Sequence, residues 1–222
     1  MTAAVGEVAM LVVAKAPVPG RVKTRLGQDV GMDAAAELAA ASLLDTLEAC
    51  AATGADCHLS LAGDLGGAVG ERQLRAALTG WTVHPQEGAD FAARLTDAHS
   101  RVFGPVVQVG MDTPHLTPEL LLDAAAGLTT YDAVLGPAED GGWWVLALND
   151  PSRAVALAGV PMSTPTTGAE TRTAFQAAGL SVGTAATLRD VDTVADADAV
   201  AALAPGSRFA AAWATARERT FA

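Results

Sequence analysis

The sequence predicts a doubly wound α/β sandwich with a largely parallel sheet. Short strand-like runs alternate with longer helical patterns through most of the 222 residues, the order that right-handed strand–helix–strand crossovers produce. Two of the runs, Val8-Ala-Met-Leu-Val-Val-Ala14 and Val106-Val-Gln-Val109, are near-continuously apolar rather than alternating, as expected of strands covered on both faces. Charged and glycine-rich stretches fall at the ends of these runs, the edge at which an open α/β sheet collects its ligands.

The chain is long enough to bury a full core as one domain, expected over residues 1–222 with a terminal helix within 205–222. Its 14 Lys plus Arg stand against 25 Asp plus Glu, a net charge of −11. That balance argues against a broad nucleic-acid surface and against an anionic membrane surface, since both need many cationic contacts. The first apolar run ends at Lys15, well short of a spanning segment or an ordinary signal peptide, so a cytoplasmic protein is expected. Cys50 and Cys57 lack zinc or redox spacing and read as ordinary reduced residues in or near the core.

After the first strand comes Ala14-Lys-Ala-Pro-Val-Pro-Gly-Arg-Val-Lys-Thr-Arg-Leu26, which its prolines and glycine should hold open rather than helical. Lys15, Arg21, Lys23 and Arg25 crowd into this loop of an acidic protein, either as a seat for phosphate or as a solvated turn. It is not a Walker A loop: Val22 rather than glycine precedes Lys23, and the earlier glycine is missing. Residues 32–52 then carry a helical stripe of Leu38, Leu43, Leu44 and Leu47 against Glu37, Asp45 and Glu48. Residues 57–62 alternate as a strand, residues 69–78 read as a helix, and residues 81–85 as a short strand in which His84 is structural. In the polar turn that follows, Gln86 and Gly88 either meet a nucleotide base or only shape the chain before a helix at 91–102.

Gly104-Pro105 and Gly110 bracket the central strand at 106–109. Thr117, Pro118 and Glu119 then supply an N-cap, a first-position proline and a first-turn anion for the next helix. Asp112 is left in the strand-to-helix loop, placed to hold a metal ion on a phosphorylated ligand or to cap the turn before Thr113-Pro114. A strand at 133–135 leads to Ala138-Glu-Asp-Gly-Gly-Trp-Trp144, where two carboxylates, two glycines open to close backbone approach and two of the four tryptophans stand together. A strand at 143–148 follows, with one tryptophan expected in the core and the other on a pocket. The hydroxyls of Ser163 and Thr164 contact a second substrate or cap the helix at 169–178. A short strand is expected near 180–183. Asp190 and Asp192 then share one side of an extended segment, an arrangement that is costly unless a cation or donors meet it. Phe209 and Trp213 make the packing face of the terminal helix.

The motifs Ala14 to Leu26, Gly110-Met-Asp-Thr-Pro114, Gly136-Pro-Ala-Glu-Asp-Gly-Gly-Trp143 and Asp190-Val-Asp-Thr193 together resemble a small bacterial domain-of-unknown-function family of GT-A type. That family is related to 2-phospholactate guanylyltransferase and other sugar-phosphate nucleotidyltransferases. The resemblance spans nearly the whole chain and departs from the family pattern at Met111, Thr113, His115 and Met162. It implies a GT-A-like three-layer sandwich, the fold of nucleotide-diphospho-sugar transferases. It further implies that Arg21, Lys23 and Arg25 meet a diphosphate, that Asp112 meets Mg2+ or Mn2+ or the ribose, that Asp192 is a second, late metal-binding position, and that Asp140, Gly141 and Gly142 lie near the transferred group or acceptor, with Trp143 beside them.

The resulting expectation is metal-dependent glycosyl transfer from a nucleotide sugar to a small-molecule acceptor, with Asp140 or Glu139 as base. The alternative is nucleotidyl transfer from a nucleoside triphosphate with release of pyrophosphate, and a third reading is a non-catalytic nucleotide-binding protein. A homodimer is compatible with the sequence.

Overall fold

The structure, a computed structural model, describes residues 8–221. Strands β1 (Ala9–Lys15), β2 (Cys57–Ala62), β3 (Thr82–Pro85), β4 (Val106–Val109), β5 (Ala133–Pro137), β6 (Trp143–Leu148) and β7 (Val182–Thr184) form one sheet in the order β3-β2-β1-β4-β6-β5-β7. Only β6 is reversed: it pairs antiparallel with both β4 and β5, while every other pairing is parallel. Chain length explains the reversal. Residues 138–142 between β5 and β6 are far too few for the crossover that a parallel pair needs, so the two strands close as a hairpin.

The sheet buries both faces, as the unbroken apolar runs require. From β1, Met10, Val12 and Ala14 point to one side and Ala9, Leu11 and Val13 to the other. The first side is covered by α2 (Met32–Ala52), α3 (Glu71–Ala77) and α5 (Pro118–Gly127), through Leu43, Leu47, Leu74 and Leu121. The second is covered by α4 (Phe91–Ser100), a 3-10 turn at Pro151–Leu157 and α6 (Thr167–Ala177), through Leu95, Leu157 and Phe175. Thr117 caps α5 with its side chain on the Leu120 N–H, and Pro118 opens the helix, as its sequence predicts.

A further cluster lies outside these three layers. The helices α1 (Thr24–Val30), α7 (Val194–Leu203) and α8 (Arg208–Phe221) pack on the outer side of α2, burying Leu26, Leu38, Val200, Phe209 and Trp213 together. Asp45 of α2 anchors α8 by accepting from the Phe209 N–H at 2.9 Å and the Arg208 N–H at 3.2 Å, which satisfies donors that the first helical turn leaves free. The expected packing face of Phe209 and Trp213 is present.

One local expectation changes, and one helix start is settled by its own cap. The basic loop stays open only as far as Lys23 and then enters α1, because Leu26 and Val30, four apart, have a face to bury against α2 and α8. The helix at 194–203 is capped by Thr193 in a capping box with Asp196, so neither Asp190 nor Asp192 is spent as a cap. Both cysteines are free, and burial pushes both thiols up, that of Cys57 to about 11, so neither is a reactive thiolate. Among the described residues no helix is long and apolar enough to cross a membrane.

Candidate active site

The site is organised by the extended stretch of residues 188–192, which backbone hydrogen bonds stitch between two strand-end loops. On one side Leu188 N–H donates to Pro137 and the Leu188 carbonyl accepts from Glu139. On the other, Val191 N–H donates to the Asp112 carbonyl at 2.9 Å. The loop after β4, the β5–β6 turn and the segment before α7 are thereby held together, and Asp112, Asp140, Asp190 and Asp192 come to line one cavity.

Lys23 closes the group from below. It occupies the left-handed backbone region (φ 47°) at the start of α1, and its side chain is only 3% exposed. Its ammonium donates to the Val191 carbonyl, pairs with Asp112 and lies 4.0 Å from Asp192. The exposed Arg25 guanidinium donates to Asp192 at 3.2 Å. The lysine expected on a phosphate thus points inward and binds the two carboxylates together, while Arg25 remains at the cavity wall. Burial, then the Asp112 and Asp140 carboxylates, push the Asp190 carboxyl up to about 7, against the opposing pull of Lys23 and of a 3.3 Å hydrogen bond from Thr113.

The cavity, about 490 Å3, sits at the carboxyl end of β1 and β4 on the side of α4 and α6. Its size suits a small organic ligand. Val13 and Gln108 form the strand side, Phe91 at the head of α4 and Met162 supply apolar surface, and Trp143, Ser163, Thr164 and Pro165 continue the wall. Of the paired tryptophans, Trp144 is the core residue at 2% exposed, donating to the Ala186 carbonyl. Trp143 is half-buried, with its Nε1–H on the Thr171 hydroxyl.

Gly141 is needed for a different reason from the one its neighbours suggested. Gly141 has φ 90°, and a Cβ there would lie 2.0 Å from the Pro165 carbonyl oxygen. Gly168 N–H donates to the Gly141 carbonyl at 2.9 Å. Gly141 lets the loop of residues 161–168 approach the β5–β6 turn, while Gly142 lines the cavity beside Asp140. That loop is itself fixed by the Thr167 hydroxyl, which donates to Pro161, and it presents Ser163 in the left-handed region (φ 60°).

Other predicted residues fall elsewhere. Glu139 adjoins Asp140 but turns away from the cavity onto Arg189. Lys15 and Arg21 are exposed and do not line the cavity. The Gln86 amide donates to the Ala14 and Ser60 carbonyls, tying the ends of β1 and β2, and Gly88 fits closely against Ala93 and Arg94 of α4. Sequence patterning overlooked Gln108, Phe91 and Pro165. Gln108 carried a signal, since an amide inside an otherwise apolar strand demands a polar partner.

A divalent ion fits this donor set. Four carboxylates face the cavity, and burial together with the Asp112 and Asp140 charges pushes the Asp190 carboxyl up; a hard cation with oxygen ligands would offset the charge repulsion among them. Among the described residues no three His, Cys, Asp or Glu side chains form a complete cage, so Asp112 and Asp192 would share such an ion with ligand phosphates, the usual arrangement for Mg2+.

The chain is similar over 96% of its length, at 31% identity and a TM-score of 0.83, to a provisionally designated nucleotide-diphospho-sugar transferase from Desulfovibrio desulfuricans G20, 95% of which is covered. The fold recurs in 4-diphosphocytidyl-2C-methyl-D-erythritol synthase from Anaerococcus prevotii DSM 20548 (10% identity, TM-score 0.56, 86% of this chain and 95% of that one). It recurs also in CMP:2-keto-3-deoxy-manno-octonic acid synthetase complexed with CTP (13% identity, TM-score 0.57, 90% and 98%). No functionally curated protein matches the sequence. The fold is that of the nucleotide-diphospho-sugar transferases, and the likeness to these structures makes the protein a transferase. Residues 44–164 match the family DUF2064, described as uncharacterized proteins conserved in bacteria, and the chain belongs to that family.

Proposed function

We propose that the protein is a metal-dependent glycosyltransferase that uses a nucleotide-diphosphate sugar as donor. The observation that carries this reading is the meeting of Asp112 and Asp192 on Lys23 at the mouth of a cavity that also presents Asp140. Asp112 and Asp192 would hold Mg2+ or Mn2+, which when bound stabilises negative charge on a leaving diphosphate. Lys23 keeps the two carboxylates in register, and Arg25 is the cation nearest the outgoing phosphates. Asp140 is the base: one of its oxygens accepts from the Gly142 N–H at 2.8 Å, which fixes the side chain. It takes the proton of an acceptor hydroxyl as that oxygen bonds to the sugar's anomeric carbon and the bond from that carbon to the diphosphate breaks. Ser163 and Thr164 orient the acceptor from the opposite wall.

Titration calorimetry with nucleoside diphosphates, their sugar conjugates and nucleoside triphosphates, with and without Mn2+, tests the reading. Metal-dependent binding of a diphosphate sugar is expected, with nucleoside diphosphate released on turnover and binding weakened at least ~10-fold in Asp112→Asn. Pyrophosphate released from a triphosphate would reassign the protein to nucleotidyl transfer. Binding without turnover would leave a nucleotide-binding protein, and no nucleotide binding at all would end both enzymatic readings.

A further inference from the structure

Both carboxylates assigned to the divalent ion already carry a cation supplied by the chain. Lys23 pairs with Asp112 and lies 4.0 Å from Asp192, and the Arg25 guanidinium donates to Asp192 at 3.2 Å. The two cations differ in freedom. The Arg25 side chain is 71% exposed and can leave Asp192 for another anion. The Lys23 side chain is 3% exposed, starts from a left-handed backbone (φ 47°) and gives a further donor to the Val191 carbonyl, so its ammonium is fixed in place.

That fixed charge governs how a cation enters. Asp112, Asp140, Asp190 and Asp192 line the cavity, and four carboxylates left to themselves would draw in a free divalent ion. Lys23 opposes this in two ways. It occupies an oxygen of Asp112 that would otherwise be free as a ligand, and it sets a positive charge against any cation that Asp112 and Asp192 share. An anionic group arriving with the cation reverses the balance. The Lys23 charge then faces added negative charge, and Arg25 can exchange a carboxylate oxygen for a phosphate oxygen.

We infer that Lys23, assisted by Arg25, is a built-in competitor of the divalent ion: it keeps Asp112 and Asp192 charge-compensated, so that a free cation binds weakly and one carried on a phosphorylated ligand binds well. The inference rests on the metal-dependent reading above and gives it an order, in which cation and diphosphate enter together. It also fixes a sign that a purely structural lysine would not give. If Lys23 only held the two carboxylates in register, its loss would let them part and would weaken cation binding. As a competitor, its loss strengthens that binding.

Titration of the full chain with Mn2+ in the absence of nucleotide, read from the electron paramagnetic resonance signal of the hydrated ion, tests the sign. Lys23→Gln, which keeps a donor for the Val191 carbonyl but removes the charge, should bind Mn2+ at least ~10-fold tighter than the parent. Arg25→Gln, at an exposed position, should tighten it at least ~3-fold, a smaller effect because solvent screens that charge, and it keeps the test open if Lys23→Gln does not fold. Arg75→Gln removes an exposed charge of α3 that pairs with Glu71 away from the cavity, and should leave the affinity within about twofold. Unchanged or weaker Mn2+ binding in Lys23→Gln, or in Arg25→Gln where the former does not fold, would overturn the inference, as would equal tightening in Arg75→Gln. The titration is then repeated with UDP, GDP and CDP. In the parent, a diphosphate that binds should raise Mn2+ affinity at least ~10-fold, and that gain should shrink in Lys23→Gln; an undiminished gain would also overturn the inference. If no diphosphate binds, the transferase reading falls while the free-ion result stands by itself.

Discussion

Asp140 and Glu139 are neighbours in sequence with opposite environments. Asp140 lines the cavity with one oxygen held by the Gly142 N–H, whereas Glu139 is committed to Arg189 on the outer side. Asp140→Asn should therefore lower turnover by about 10²–10⁴ with little change in donor KM, the signature of a lost general base. Glu139→Gln removes only a partly exposed ion pair and should leave steady-state kinetics within about a factor of two, with a stability change below ~1 kcal/mol. Equal losses in the two variants would move the base elsewhere. The sequence distinguished which types of residue matter here but not which of the pair faces the ligand, because a turn's side-chain directions depend on what it packs against. The same holds for Lys23: its charge was legible, but its inward turn depends on a left-handed backbone at the head of α1. Asp112, Asp190 and Asp192 fall on the cavity as a strand end and an extended segment lead one to expect, whereas the preference for Asp192 over Asp190 came from the family resemblance alone.

At the scale of elements, the loop of residues 161–168 and the β5–β6 turn behave as one piece. The close approach of Pro165 to Gly141 leaves no room for a methyl group, and the positive φ of Gly141 disfavours any side chain. Gly141→Ala should cost roughly 2–4 kcal/mol and detach the loop, which hydrogen exchange at residues 164–168 would register as lost protection. Unchanged exchange and unchanged melting would show that the contact is dispensable. Strand and helix positions were largely readable, since apolar periodicity and caps such as Thr117-Pro118 are local signals. Helix α1 was not, because its Leu26 and Val30 acquire a reason to be helical only once α2 and α8 are there to receive them. The 3-10 turn at Pro151–Leu157 shares that dependence: Ala154 and Leu157 are buried in the second core.

For the whole molecule, the acid limit of stability should be set in part by His99. Its ring is fully buried in α4, with Nδ1–H on the Leu95 carbonyl at 2.8 Å and no partner for Nε2. Burial lowers its pKa from 6.5 to about 4. The sign follows directly. Below pH 6.5 the unfolded chain takes up a proton that the folded chain refuses until about pH 4, so the His99 contribution is flat above 6.5 and declines across that interval, by about 3 kcal/mol in total. The Asp190 carboxyl, pushed up to about 7, acts in the opposite direction over the same range, so the test is a difference: in urea unfolding at pH 7.5 and 4.5, His99→Leu should gain stability relative to the parent at the lower pH by most of that amount. A pH dependence in the variant parallel to the parent's would overturn the assignment to His99. The reversal of β6 bears on how the protein is made. Strand β4 lies between β1 and β6 in the sheet, so as the chain leaves the ribosome its Val106–Val109 edge has no partner until residue 148 has emerged. Through that interval the nascent sheet is a half-built template with an apolar border, and a chaperone that shields such borders would meet this protein midway through synthesis, not at its end.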